Sequence, residues 1–355
     1  MEVPKLKIGN ITADIPIVQG GMGVRVSLSS LASAVANEGG IGTISSIGLG
    51  DMKDSERNYE KQSRDALVAE IRKAKTMTNG HLAVNFMGVL SNADDLIKAS
   101  VREGIRMIVY GAGIPVKLPE LVPDPDVNLV PIISSARFAS LILKTWDRRH
   151  HRTADALILE GPLAGGHLGF SEEQLEHTDD YALEKLLPEV LEAIKPFEDT
   201  YGRKIPVITA GGIYDGADIA RMLSLGASGV QMGTRFVCTY ECDVSAEFKQ
   251  AYLDAKEEDI VITKSPVGLP GRVINNAFLR KLEKEGRLRI KCPYHCLTAC
   301  KVDTARYCIA LALLNSYFGD IDDGLIFTGQ NSYRIDKIIS VKELMDELIA
   351  RLKTA

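Results

Sequence analysis

Residues 206–236 read PVITAGGIYDGADIARMLSLGASGVQMGTRF, and the reading of the fold turns on this stretch. Pro206–Gly212 is an apolar run closed by two glycines, as expected of a buried strand that ends in a turn. Asp215 or Asp218 can then serve the first turn of a helix, with Ile219, Ala220 and Leu223 on its inner face and Gly226 stopping it. A second apolar run, Gly229–Phe236, follows at once. Parallel neighbours need a helical crossover of this kind, so the stretch is one unit of a parallel sheet.

The same alternation runs back through the chain. Ile15–Met22, Ile41–Ser46, His81–Gly88, Met107–Gly113, Asn128–Ser135 and Ala154–Gly161 are further strand-like runs, each followed by turn residues and helical periodicity. After the first of them, Leu28, Leu31, Ala32, Val35 and Ala36 recur at three- and four-residue spacing until Gly39-Gly40. Eight β/α units closing near residue 240 match the usual size of an α/β (β/α)8 barrel. A doubly wound open sheet is the rival, because strand order is not written in the sequence.

Three parts are expected: a barrel over 1–240, a lid excursion over the barrel mouth at 241–303, and helices in 304–355 packing back onto the barrel as Thr304–Phe318 and Val341–Leu352. The charged segment Asp51–Lys75 reads as a solvated outer helix, and Pro115–Asp126, with Pro119, Pro123 and Pro125, as a long loop on the active face. No internal repeat stands out.

Hydrophobic residues make up 45% and charged residues 25%, enough for a large core. A net charge of -5 provides no basic field for nucleic acid or anionic lipid, and no apolar run nears the ~20 residues that span a bilayer. The N-terminal residues lack the pattern of a secretory signal. The expectation is a cytoplasmic protein with a small-molecule partner, no nucleic acid and no membrane.

The chemistry concentrates at strand ends. The sixth run ends Glu160-Gly161-Pro162-Leu163-Ala164-Gly165-Gly166-His167, where glycines let backbone approach a flat ligand and His167 points into a site. Alone, such a histidine would serve only a local hydrogen bond in its turn; the setting makes His167 the catalytic candidate. His81, His150, His151, His177 and His295 have no comparable context and read as surface or structural. Ala210-Gly211-Gly212 and Gln231-Met232-Gly233-Thr234 stand after strands seven and eight, where barrels bind phosphate through backbone N–H groups. Gly21, Met22 and Gly23 close the first strand, suited to backbone contact with a ring edge while the thioether packs on it. Asn85 is a polar residue in an apolar strand and needs a partner. No Gly-x-Gly-x-x-Gly follows a strand, so no separate dinucleotide domain is expected.

Together these segments closely resemble the nitronate monooxygenase (2-nitropropane dioxygenase-like) family, which includes the FMN-dependent enoyl-ACP reductase II enzymes. The match runs from Ile15 to about Asn276, with a looser continuation at Gly329-Gln330-Asn331. The resemblance implies a TIM barrel holding FMN, its phosphate on Gly211, Gly212, Gly233 and Thr234. Gly21, Met22, Gly23, Asn85, Glu160, Gly165, Gly166, Ala210, Gln231 and Met232 would line the rest. It implies oxidation of alkyl nitronates with O2 to a carbonyl compound and nitrite, His167 acting as base or polar partner near its working pH. The alternative it carries is NAD(P)H-dependent reduction of an enoyl thioester or quinone, with His167 helping to protonate the product. NAD(P)H and a homodimer stay open as partners.

Pro162-Leu163 stands where many members of the family carry Glu, and Glu160 where many monooxygenases carry Gln, so the substrate is not settled by the motifs. Two other classes remain: a flavin-binding regulatory protein, and a colourless phosphate-binding barrel such as an aldolase or isomerase. Cys292, Cys296, Cys300 and Cys308 are a further departure. Thiolates at four-residue spacing could ligate zinc or an iron–sulfur cluster, but this is none of the common two-between motifs. The sequence reading is free cysteines under a lid and no metal.

Overall fold

The computed structural model describes residues 2–50, 58–290, 292, 295–298 and 300–355. Eight parallel strands close into a barrel: Ile17–Gln19, Ile41–Ser45, His81–Met87, Met107–Gly111, Asn128–Ile133, Leu157–Glu160, Val207–Ala210 and Gly229–Met232. Each lies inside one of the eight predicted runs, and Gly229–Met232 pairs with both Ile17–Gln19 and Val207–Ala210, which excludes the open sheet.

Inside the barrel Val18, Ile41, Ala83, Val109, Val130, Ile158 and Ile208 pack with Leu6, Ile8, Ile11 and Ala13. The latter four belong to a two-stranded antiparallel hairpin, Leu6–Ile8 with Ile11–Ala13. Its tip reaches the start of the fifth strand, where Asn128 Nδ2 donates to Asn10 Oδ1 at 2.7 Å. The hairpin therefore plugs the N-terminal end, and ligand access is left to the carboxyl ends of the strands.

Over that open end lies a second antiparallel pair, Ile260–Lys264 with Pro270–Ile274, joined by Gly166–His167: Gly271 stands opposite His167 and Arg272 opposite Gly166. Main-chain pairing thus holds the candidate histidine in register. At the other end of the chain, Val341–Thr354 packs on the helices Gly216–Ser224 and Ser29–Asn37.

The helix expected within Asp51–Lys75 is Tyr59–Met77, and residues 51–57 lie outside the described residues. It is not solvated all round: Leu67, Ile71 and Ala74 form a narrow buried stripe that makes it a crossover helix, easily hidden by the charge around it. Pro115–Asp126 contains a short helix, Leu118–Leu121, with Pro119 in its first turn. The helix expected from Thr304 begins at Ile309.

Candidate active site

A cavity of about 570 Å³ opens among the strand ends, within the usual ~300–1,000 Å³ of small-molecule sites. Gly21, Met22, Gly23, Asn85, Glu160, Gly165, Gly166, His167, Ala210, Gly211, Gly212, Gln231, Met232, Gly233 and Thr234 all line it. Their convergence follows from barrel closure, which sets Ala210 opposite Gln231 and Gln231 opposite Val18.

Close approach of main chain is built into the wall. A Cβ on Gly21 would stand 2.3 Å from Asn85 Cβ, and Gly212 adopts φ +79°, where a side chain is strained. The helix after strand seven is already capped, because Asp215 accepts from the N–H groups of Ala217 and Asp218. An anion here would fall to the Gly211, Gly212, Gly233 and Thr234 turns. The distant tail buttresses those turns: Asn331 Nδ2 donates to Gly212 O at 2.6 Å, and Gly329 N donates to Thr234 Oγ1 at 3.2 Å.

His167 Nε2 shares a 2.7 Å hydrogen bond with Ser265 Oγ, and its ring meets Phe327 edge-on at 4.9 Å. Burial holds the imidazole down at about 4, below the working-pH value expected from the sequence; its neighbour is a hydroxyl, so no carboxylate offsets desolvation. At neutral pH the ring is uncharged. Glu160 is pushed the other way, up to about 8, by burial, with the Arg272 charge partly opposing.

Arg272, only 3% exposed, was not legible as a site residue. Its Nη1 donates to Pro162 O at 2.7 Å and to Ala164 O at 2.5 Å, tying down the loop between Glu160 and His167. Ser265 and Phe327 were missed as well; neither has a motif, and both arrive only through the hairpin pairing.

The opposite shifts give opposite pH responses. Glu160 has a folded pKa above its ordinary 4.5, so its contribution to stability is full below pH 4.5 and is lost as pH rises toward about 8. For His167, below its ordinary 6.5, the contribution is full above that value and is lost as pH falls toward about 4. Glu160→Gln should therefore flatten the decline in thermal midpoint between pH 5 and 8 while leaving the acid limb in place. An unchanged alkaline slope in a melting series would refute the assignment to Glu160.

The nitronate monooxygenase family model matches residues 5–351. Among named relatives, the Mycobacterium tuberculosis "(3aS,4S,5R,7aS)-5-hydroxy-7a-methyl-1-oxo-octahydro-1H-indene-4-carboxyl-CoA dehydrogenase" is 33% identical over 77% of this chain and 67% of its own length. A "Probable nitronate monooxygenase" of Staphylococcus saprophyticus is 27% identical over 78% of this chain and 80% of its own. Among solved structures, FabK from Thermotoga maritima superposes with a TM-score of 0.74 at 29% identity, covering 96% of this chain and 94% of that one. With the eight-stranded barrel and the converging strand ends, these matches make the chain an oxidoreductase that belongs to the nitronate monooxygenase family.

Proposed function

We propose that the chain is an FMN-dependent oxidoreductase whose substrate reacts through an uncharged, conjugated acyl thioester group. The residues present fit a flavin: glycine turns stand where a phosphate would lie, and Gln231 Oε1 on the wall is buried without a hydrogen-bond partner. Gly211, Gly212, Gly233 and Thr234 would hold the phosphate. Gly21, Met22, Gly23, Asn85 and Gln231 would meet the ring, with Glu160, Gly165, Gly166, Ala210 and Met232 around it. When bound, FMN supplies the electron transfer that no amino-acid side chain offers.

The observation that carries the substrate class is the lining itself. Among the described residues no lysine or arginine side chain lines the cavity, and His167 is uncharged at neutral pH. A nitronate is an anion and would enter without a counter-charge. A thioester conjugated to a double bond is neutral, and the His167 Nε2 to Ser265 Oγ pair can hold a proton for its carbon. The 33% identical relative, named as a carboxyl-CoA dehydrogenase, supports a thioester as the reacting group. Nitronate oxidation is the second reading, favoured by the family match over nearly the whole chain.

One anaerobic titration separates them. NAD(P)H should bleach the yellow protein and a short enoyl-CoA should restore the colour. Bleaching by propionate 3-nitronate instead, with no response to NAD(P)H, would put nitronate oxidation first. A colourless protein that takes up no FMN would end the flavin reading.

A further inference from the structure

Outside the main cavity, a second, small cavity is lined by Cys292, His295, Cys296, Cys300, Tyr307 and Cys308. The sequence spacing argued against a metal there. The structure adds three observations that spacing could not supply.

The first is convergence. Four cysteines separated by up to sixteen positions in the chain line one space, and none of the six cysteines is in a disulfide. As thiolates the four would repel one another; only a multiply charged cation lets them coexist.

The second is an orphaned donor. Tyr307 is 2% exposed, lines this cavity, and its hydroxyl has no hydrogen-bond partner. A buried hydroxyl is costly to leave unpaired. A sulfur-rich anionic group among the cysteines would accept its proton.

The third is scale. Among the described residues no three Cys, His, Asp or Glu side chains form a group that could hold a metal ion as they stand, so no tetrahedral zinc site is preformed. Sulfurs that share one space without closing on one point suit a polynuclear centre. We propose that Cys292, Cys296, Cys300 and Cys308 ligate an iron–sulfur cluster, with the Tyr307 hydroxyl donating to it.

The placement ties this centre to the main site. Thr298 N donates to Val89 O at 2.9 Å, and Leu297 bridges to Leu90, so the cysteine loop is fastened to the loop after the third barrel strand. Cys296 and Cys308 pack in one apolar cluster with Val24, Ile47 and Leu313, and those three line the main cavity. The two sites thus share one apolar cluster.

The test uses the full chain, produced with added iron and sulfide and purified without oxygen. Iron and acid-labile sulfide should appear in equal amounts, with an electron paramagnetic resonance signal after dithionite reduction. Cys296→Ser and Cys308→Ser should lose both together, while Cys238→Ser, at a buried cysteine away from the cavity, should keep them. Tyr307→Phe should keep the iron and shift the reduction potential down, because an anion-stabilising donor is gone. Zinc without sulfide would overturn the proposal, as would metal-free protein whose four thiols all react with a maleimide. If the serine variants fail to fold, the parent's iron, sulfide and resonance signal decide the matter alone. These readouts do not depend on FMN or on thioester turnover, so the two proposals fail separately.

Discussion

His167→Ala is expected to lower turnover by about 10²–10⁴-fold, the usual worth of a positioned proton-transfer group, while flavin content stays at the parent level. The separation of the two effects follows from the geometry. The glycine turns proposed to hold the phosphate belong to strands seven and eight and are buttressed by Asn331 and Gly329, none of which touches the imidazole through a hydrogen bond. Ser265→Ala should fall between parent and His167→Ala, because it removes the single side-chain partner of Nε2 and leaves the ring in place. It should also release the imidazole from one fixed orientation, so the loss should show in kcat more than in KM. Stopped-flow reduction and reoxidation, with flavin counted spectroscopically, measure all three quantities. Equal turnover in parent and His167→Ala would remove His167 from the chemistry and leave the cavity's own shape as the catalyst.

The barrel was legible because its signals are local and repeated. Strand, turn and helix recur along the chain, and the glycine pair Gly211-Gly212 and the single Gly233 mark the ends of strands seven and eight. Barrel closure then brings Gly21, Asn85, Glu160 and Gln231 to one wall without further instruction, since neighbouring strands run in parallel register. What stayed hidden depends on contacts between distant parts of the chain. Ser265 lies 98 positions from His167, and Arg272 lies 108 from Ala164. No periodicity encodes such a pair. Electrostatic tuning was equally invisible: a carboxyl raised to about 8 and an imidazole lowered to about 4 face one cavity because of burial, which residue identity does not reveal. The same holds for the cysteines, whose spacing matches no common motif although the fold sets them around one small cavity.

Arg272→Met should be the most damaging single change at the site that leaves every predicted site residue in place. The methionine fills much the same volume, so packing loss is small. What disappears is the donor that holds two carbonyls, Pro162 O and Ala164 O, from inside a nearly closed wall. An unsatisfied buried group costs about 1–3 kcal/mol, so the urea midpoint should fall measurably even if one carbonyl finds water. The loop between Glu160 and His167 would lose its anchor on the hairpin strand, although the Gly166–Arg272 main-chain pairing remains. Catalysis should therefore fall more steeply than flavin binding. A second signature follows from charge. Burial raises the Glu160 pKa and the Arg272 cation partly offsets it, so removing the cation should move the alkaline midpoint of stability upward from about 8. Arg272→Lys restores the charge without the guanidinium's reach and fork. It should bring the pH midpoint back toward the parent value while recovering little of the lost stability. Recovery of both by lysine would mean that the loop needs only a nearby cation and that the two carbonyl bonds contribute nothing of their own.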